Sequence, residues 1–201
     1  MNNELKKLNT PQKIQDYLDS IPFNYEKSGE TCMSPFRVLK EKKAHCVEGA
    51  MLAASLMALQ GQKPLVMSLK VKKGDYDHVV ALFKYKGFWG AISKTNHSVL
   101  RYRDPIYKTI RELALSYFHE YFLTKTGEKT LLGYSNPINL NRFGKKWKTS
   151  PNDLWDIAGT IYDIKHLPII PKGNERYIRN ATKIEMESAL IKDWNKNETR
   201  A

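Results

Sequence analysis

The sequence has little cysteine and no long apolar run. Cys32 and Cys46 are its two cysteines among 201 residues. They cannot build a multi-disulfide framework, and no cysteine or histidine group has zinc-site spacing, so we expect neither a structural disulfide nor a metal. No apolar stretch approaches the ~20 residues that cross a bilayer, which predicts no membrane partner. The first residues also lack the apolar core of a signal peptide, so we expect a cytoplasmic protein.

The composition is that of a folded chain with a strong positive charge. Hydrophobic residues make up 41% and aromatic residues 11% of the sequence, which argues against disorder. We expect one domain over residues 1–172, with its core at 30–122, followed by a helical extension over 173–201. The net charge of +12 is compatible with nucleic acid, an anionic surface or an acidic substrate. The basic cluster at 142–148 contains Trp147, so it is a candidate for phosphate contact and base stacking.

Helix start signals occur four times along the chain. Thr10, Ser34, Asp104 and Ser150 each stand directly before a proline, a pattern typical of an N-cap followed by the first helical turn. The helices predicted from these signals cover residues 11–21, 36–41, 106–117 and 152–164. The tail, 175–201, is predicted to be a polar helix whose apolar residues are Ile184, Met186, Leu190, Ile191 and Trp194.

Cys46 stands at the beginning of a further predicted helix. Residues 47–60 are apolar on nearly every side, which is typical of a buried helix. A cysteine at a helix start experiences the positive end of the helix dipole and unpaired backbone N–H groups, and both favour the thiolate. The thiolate is the nucleophilic form, so Cys46 is a candidate catalytic residue. Cys32 has no such context and is expected to be a small core residue.

His78 begins the second of three predicted strands. The link between the second and third strands is short and ends in glycine, which predicts a hairpin. A turn centred on residues 85–86 places Ser93 opposite His78, and a turn one residue longer places Lys94 there. In either register the segment 93–96 is expected beside His78. The three strands are predicted at 65–71, 78–85 and 88–93.

Residues 44–93 resemble the transglutaminase-like superfamily, whose members share a papain-like core. The resemblance rests on the helix that starts at Cys46 and is followed by Gly61 and a strand, on His78 at the head of a strand, and on the Gly-Phe-Trp-Gly-Ala-Ile strand at 87–92. It implies an α+β fold in which an N-terminal nucleophile helix packs on an antiparallel sheet. The additional C-terminal helices lie outside the resemblance.

The resemblance also implies a chemistry of acyl transfer or amide hydrolysis. Cys46 would attack the amide of a protein or peptide substrate, with His78 as ion-pair partner and proton donor, and no cofactor would be needed. The superfamily ends the third strand with an aspartate that orients the histidine, and the matching residue here is Ser93. Asn96 and Asp104 are the other candidates for this third role. A serine accepts a hydrogen bond but carries no charge, so a weaker Cys46–His78 ion pair is expected.

Two residues are candidates for binding substrate. Trp89 shares a strand face with Ser93 and would line the site, with core packing as the alternative. His45 precedes Cys46, and because neighbouring side chains diverge at a helix start it is expected to cap the helix or to line the pocket. The alternative function is a catalytically weak or inactive papain-like module that binds protein or nucleic acid through its basic surface.

Overall fold

The computed structural model describes Leu5 and residues 7–193. Within this part of the chain, six α-helices and seven strands form an α+β fold. None of these helices is long and apolar enough to cross a membrane. The helices are α1 (Pro11–Ser20), α2 (Pro35–Glu41), α3 (Cys46–Leu59), α4 (Ile110–Leu115), α5 (Trp155–Asp163) and α6 (Lys183–Ala189). The strands are β1 (Leu65–Val71), β2 (His78–Tyr85), β3 (Phe88–Ile92), β4 (Arg103–Tyr107), β5 (Leu131–Ser135), β6 (Ile138–Asn139) and β7 (His166–Pro168).

The strands form one antiparallel sheet in the order β4-β3-β2-β1-β5-β7, and β6 pairs with β1. Apolar clusters cover both faces of this sheet. On one face Val79 and Phe83 of β2 pack with helices α1, α2, α3 and α5. On the other face Val80 and Leu82 pack with α4 and Tyr117. Strand β2 is therefore buried on both sides, and the first strand residue, His78, is held at the end of the best-packed element.

The start signals predicted for helices α1 and α2 are confirmed. The Thr10 side chain accepts a hydrogen bond from the backbone N–H of Lys13 at 3.2 Å, and Ser34 accepts one from Arg37 at 3.3 Å. In both helices proline occupies the first turn, where no backbone donor is needed. Helix α3 begins at the expected Cys46 and packs on the sheet, because it is apolar on nearly every side.

The hairpin between β2 and β3 turns at a different place from the one predicted. Lys86 and Gly87 both have positive φ, 46° and 90°, as the two-residue turns of hairpins require. The strands therefore pair Tyr85 with Phe88 and Ala81 with Ile92. The predicted registers, with Ser93 or Lys94 opposite His78, are wrong. β3 ends before it reaches His78, and the segment 93–96 leaves the sheet at that point.

The helix predicted after Asp104 starts at the wrong residue. Residues Arg103–Tyr107 form strand β4, which pairs with the outer edge of β3 through Trp89–Tyr107 and Ala91–Arg103. A strand there satisfies backbone groups that β3 would otherwise leave open, and this overrides the local helix signal. The helix starts later, at Ile110. Strands β5 and β6 were not predicted, and α5 starts at Trp155 rather than at 152.

The tail is not one continuous helix. It contains a short 3₁₀ turn, Glu175–Tyr177, and then α6. After α6 the backbone runs against the loop at 96–98. The N–H of Ser98 donates to the carbonyl of Ile191 at 3.0 Å, and the N–H of Asp193 donates to the carbonyl of Asn96 at 2.9 Å. Of the apolar residues assigned to this tail, Trp194 lies outside the described residues.

Candidate active site

Cys46 lies at the first position of α3, in the wall of a cavity of about 750 Å³. As the first helical residue it has no acceptor for its N–H within the helix. Its side chain is partly exposed. The same cavity is lined by His45, His78 and Asn96, which were singled out in the sequence, and by Tyr162, which was not.

The two cysteines have opposite electrostatic environments. Burial alone would raise the pKa of Cys46, but hydrogen bonds with the imidazoles of His45 and His78, and their charge, lower it to about 5. For Cys32, burial and the nearby carboxylate of Glu48 together raise the pKa to about 12. Cys32 is fully buried, as predicted for a core residue. At neutral pH only Cys46 is expected to be a thiolate.

Ser93 makes the hydrogen bond to the ring of His78. The distance from His78 Nε2 to Ser93 Oγ is 2.8 Å, and the Ser93 hydroxyl donates its own hydrogen to the carbonyl of Leu100 at 2.5 Å. Because that hydrogen is already used, Ser93 must accept from Nε2–H of His78. Nδ1 is then the ring nitrogen that faces Cys46. Ser93 is thus in contact with the histidine through a neutral group.

The other residues that were predicted near His78 have different surroundings. The side-chain amide of Asn96 donates to the hydroxyl of Tyr25 at 2.5 Å in the cavity wall. Asp104 is exposed on β4. Lys94 is fully buried, and its Nζ donates to two carbonyls at the end of α1, at 2.8 and 2.6 Å. Burial lowers the pKa of Lys94 to about 8.

In contrast to the prediction, the side chain of His45 does not diverge from that of Cys46. Its Nε2 lies 2.9 Å from the carbonyl oxygen of Thr31, 3.4 Å from Glu48 Oε1 and 3.7 Å from Glu26 Oε1. Burial would lower the pKa of His45, but the hydrogen bond and charge of Cys46, together with the Glu48 carboxylate, raise it to about 9. His45 has extended backbone angles, φ −94° and ψ −175°, so the divergence expected within a helix does not apply to its side chain.

Two aromatic residues do not have the predicted roles. Trp89 does not line the cavity. It packs against the second apolar cluster, the alternative considered for it, with the Nζ of Lys84 4.9 Å from its ring centroid. Trp147, the candidate stacking residue, is only 2% exposed within the first cluster. The basic segment around it therefore offers charge, but the ring of Trp147 is not available for base stacking.

Two residues near the site were missed in the sequence. Gln15 of α1 is buried and holds the backbone of Ser93 with both ends of its amide. Its Oε1 accepts from Ser93 N–H at 2.9 Å, and its Nε2 donates to Ser93 C=O at 2.8 Å. Tyr162 of α5 has a hydroxyl that hydrogen-bonds Cys46, and burial, with the cysteine charge, raises the pKa of this tyrosine. No motif marks either residue, because the chain brings each of them in from a distant helix.

The Gln15 contact gives a first testable prediction. In Gln15→Met the side chain keeps its length but leaves the N–H and C=O of Ser93 without partners, a loss of about 1–3 kcal/mol. The free energy of unfolding from urea titration measures this loss. Gln12→Met is the matched control, because Gln12 is exposed on the same helix. Equal stabilities of the two variants would contradict the assigned role.

The described residues hold no group of three histidine, cysteine or acidic side chains that could bind a metal ion. Comparison with protein-family models gave no match, and comparison with curated proteins gave none either.

Proposed function

We propose that this protein is a cysteine-dependent acyltransferase or amide hydrolase of the transglutaminase-like, papain-like type. The observation that carries the proposal is the convergence of Cys46, His45 and His78 on one cavity, with a thiol pKa near 5. Perturbed cysteine and histidine groups in a cleft are typical of nucleophilic catalysis. The helix that begins at Cys46 and the strand that begins at His78 support the same superfamily core.

The first half of the proposed reaction is acylation. The thiolate of Cys46 attacks the carbonyl carbon of an amide, and a sulfur–carbon bond forms. The developing oxyanion is stabilised by the backbone N–H of Cys46, which the start of α3 leaves free. His78, in its protonated form, gives the Nδ1 proton to the leaving amine as the carbon–nitrogen bond breaks.

The second half releases the acyl group. Water or an amine attacks the thioester, and neutral His78 takes the proton from the attacking group. The sulfur–carbon bond then breaks and Cys46 leaves as a thiolate. Water as acceptor gives hydrolysis, and an amine gives transamidation. Ser93 supports both halves, because its bond to Nε2 keeps Nδ1 of His78 available for proton transfer.

The cavity supports a substrate with an apolar or aromatic group beside its amide. Its volume, about 750 Å³, suits a peptide side chain with part of its backbone. Aromatic side chains stand along its walls, where they can pack against such a group. They include Phe23, Tyr25, Tyr121, Phe122, Trp155 and Tyr162.

An activated ester tests the proposal without knowledge of the natural substrate. We expect p-nitrophenyl acetate to release p-nitrophenolate in a burst and to leave one acetyl group on Cys46, located by peptide mass spectrometry. Addition of a primary amine should transfer the acetyl group to the amine if the enzyme is a transamidase. Cys46→Ala should lose the burst and the adduct, with turnover reduced by ~10³-fold or more.

Cys32 is the internal control, since its buried thiol should remain unmodified. Modification of both cysteines at similar rates, or the same release from Cys46→Ala as from the unchanged protein, would sink the proposal. The fold would then be better explained as a binding module. In that case salt-dependent affinity for single-stranded nucleic acid, measured by fluorescence anisotropy, would test its basic surface.

A further inference from the structure

Cys46 has two histidines beside it, and they differ in what stands behind them. His78 has the neutral hydroxyl of Ser93 at 2.8 Å. His45 has two carboxylates at ion-pair distance, Glu48 at 3.4 Å and Glu26 at 3.7 Å. The negative charge that is missing behind His78 is therefore present behind its neighbour.

The hydrogen-bond partner of His45 fixes the orientation of its ring, as Ser93 does for His78. The carbonyl of Thr31 can only accept, so Nε2 of His45 must carry a hydrogen and donate it over 2.9 Å. Nδ1 remains as the nitrogen that meets the sulfur of Cys46, with which His45 is hydrogen-bonded. In the neutral ring Nδ1 accepts the thiol hydrogen, and after proton transfer it donates that hydrogen back to the thiolate.

We propose that His45, and not His78, is the cation that keeps Cys46 ionised, which leaves His78 free to carry the proton of the acyl-transfer cycle. The inference deepens the proposed function and rests on Cys46 being its nucleophile. In the resting state the thiol proton has moved to Nδ1 of His45, giving an imidazolium–thiolate pair. No proton of that pair is consumed, because His78 gives one proton to the leaving amine and recovers one from water.

Several groups face this pair from the elements packed around it. His45 is faced by Glu26, from the α1–α2 connection, and by Glu48, from α3. Cys46 is faced by both histidines and by Tyr162 of α5, which hydrogen-bonds the sulfur. Burial raises the pKa of Tyr121, and the nearby charge of Cys46 is the second-largest cause of this rise. Among the described residues, the acidic side chains at ion-pair distance from these two imidazoles are Glu26 and Glu48, and both lie beside His45. Asp75 and Asp77 also line the cavity.

The test is the pH dependence of Cys46 alkylation by iodoacetamide, followed by peptide mass spectrometry between pH 4 and pH 10. His45→Asn keeps a residue suited to the N-cap of α3, so the helix start should be preserved. We expect this change to raise the midpoint of alkylation by at least ~1 pH unit, about a tenfold loss of thiolate at low pH. His78→Asn should move the midpoint less, while it removes the burst with p-nitrophenyl acetate.

A pair of glutamate variants keeps the test decisive if His45→Asn does not fold. Glu26→Gln retains an oxygen for the Thr31 N–H, which donates to it at 2.7 Å, but removes the charge near His45. We expect a smaller shift in the same direction. Glu30→Gln is the matched control, because Glu30 lines the same cavity and forms no recorded ion pair in the described chain; its midpoint should not move.

An unchanged midpoint in His45→Asn, or a larger shift in His78→Asn than in His45→Asn, would overturn the inference. If His45→Asn does not fold, equal midpoints for Glu26→Gln and Glu30→Gln would do the same. Alkylation needs no acyl substrate, so its result is separate from the test of the proposed function. If alkylation of Cys46 has a low pH midpoint but no acyl-enzyme forms, the proposed function is contradicted and the inferred His45–Cys46 ion pair is not.

Discussion

Glu48→Gln is expected to destabilise the protein by about 3–5 kcal/mol, a large part of the stability of a typical domain. Glu48 is fully buried in the first turn of α3, and only donors surround its carboxylate. Oε1 accepts from Met33 N–H at 2.9 Å, and Oε2 accepts from His45 N–H at 2.9 Å. The side chains of Thr31 and Asn24 donate to it as well, at 2.8 and 3.2 Å.

A glutamine cannot satisfy this arrangement in either orientation. Its NH₂ group must face the backbone N–H of Met33 or that of His45, so one donor loses its partner and two donors meet. Urea titration measures the effect. Glu41→Gln is the control, because Glu41 makes a partly exposed pair with Arg37 at 3.2 Å and should lose less than ~1 kcal/mol. A Glu48→Gln variant as stable as this control would contradict the argument.

Gly49→Ala is also expected to destabilise the protein. A Cβ at Gly49 would lie 2.4 Å from the Cβ of Lys94 and 3.0 Å from its Cγ. Lys94 cannot swing aside easily, because its Nζ is held by carbonyls of Leu18 and Ile21. Alanine favours a helix over glycine by about 1 kcal/mol, but the overlap should outweigh this gain and leave a net loss of about 1–3 kcal/mol.

Gly159→Ala provides a control with the opposite sign. Gly159 is also a helix residue, in α5, and a Cβ there would meet nothing within 4 Å. This change should raise the free energy of unfolding by about 0.5–1 kcal/mol, because only the helix propensity changes. The two variants, compared by urea or thermal unfolding, separate close packing from propensity. A gain in both would mean that α3 and the segment at Lys94 are not in close contact.

The sequence predicted the bounds of helices and strands best where the hydrophobic periodicity and the turn or cap residues agree. The bounds of β1 and β2 are confirmed, and α3 starts at the predicted residue, because a turn or cap signal stands at their ends. β4 was missed for a different reason. Asp104 and Pro105 carry a local helix signal, whereas the pairing with β3 that decides the structure is a long-range contact.

For the site, the sequence brought Cys46, His78 and Ser93 together but missed how they are held. The hairpin register was wrong by at least one residue, yet Ser93 still reaches His78, because the segment after β3 leaves the sheet beside that ring. The contact of His45 with Cys46 depends on backbone angles at one N-cap residue, which no periodicity encodes. Gln15 reaches Ser93 across 78 positions of sequence, beyond any local pattern.

The pairing of residues 96–98 with 191–193 also sets an order of assembly during synthesis. The Ser98 hydroxyl donates to the carbonyl of Ser188, 90 residues downstream. A ribosome adding ~5–20 residues per second therefore releases helix α3 and the β2–β3 hairpin several seconds before the segment that completes this wall of the cavity. On the nascent chain Cys46 and both histidines can already be in place before residues 191–193 are available to pair with Asn96 and its neighbours. This wall of the cavity is therefore completed last.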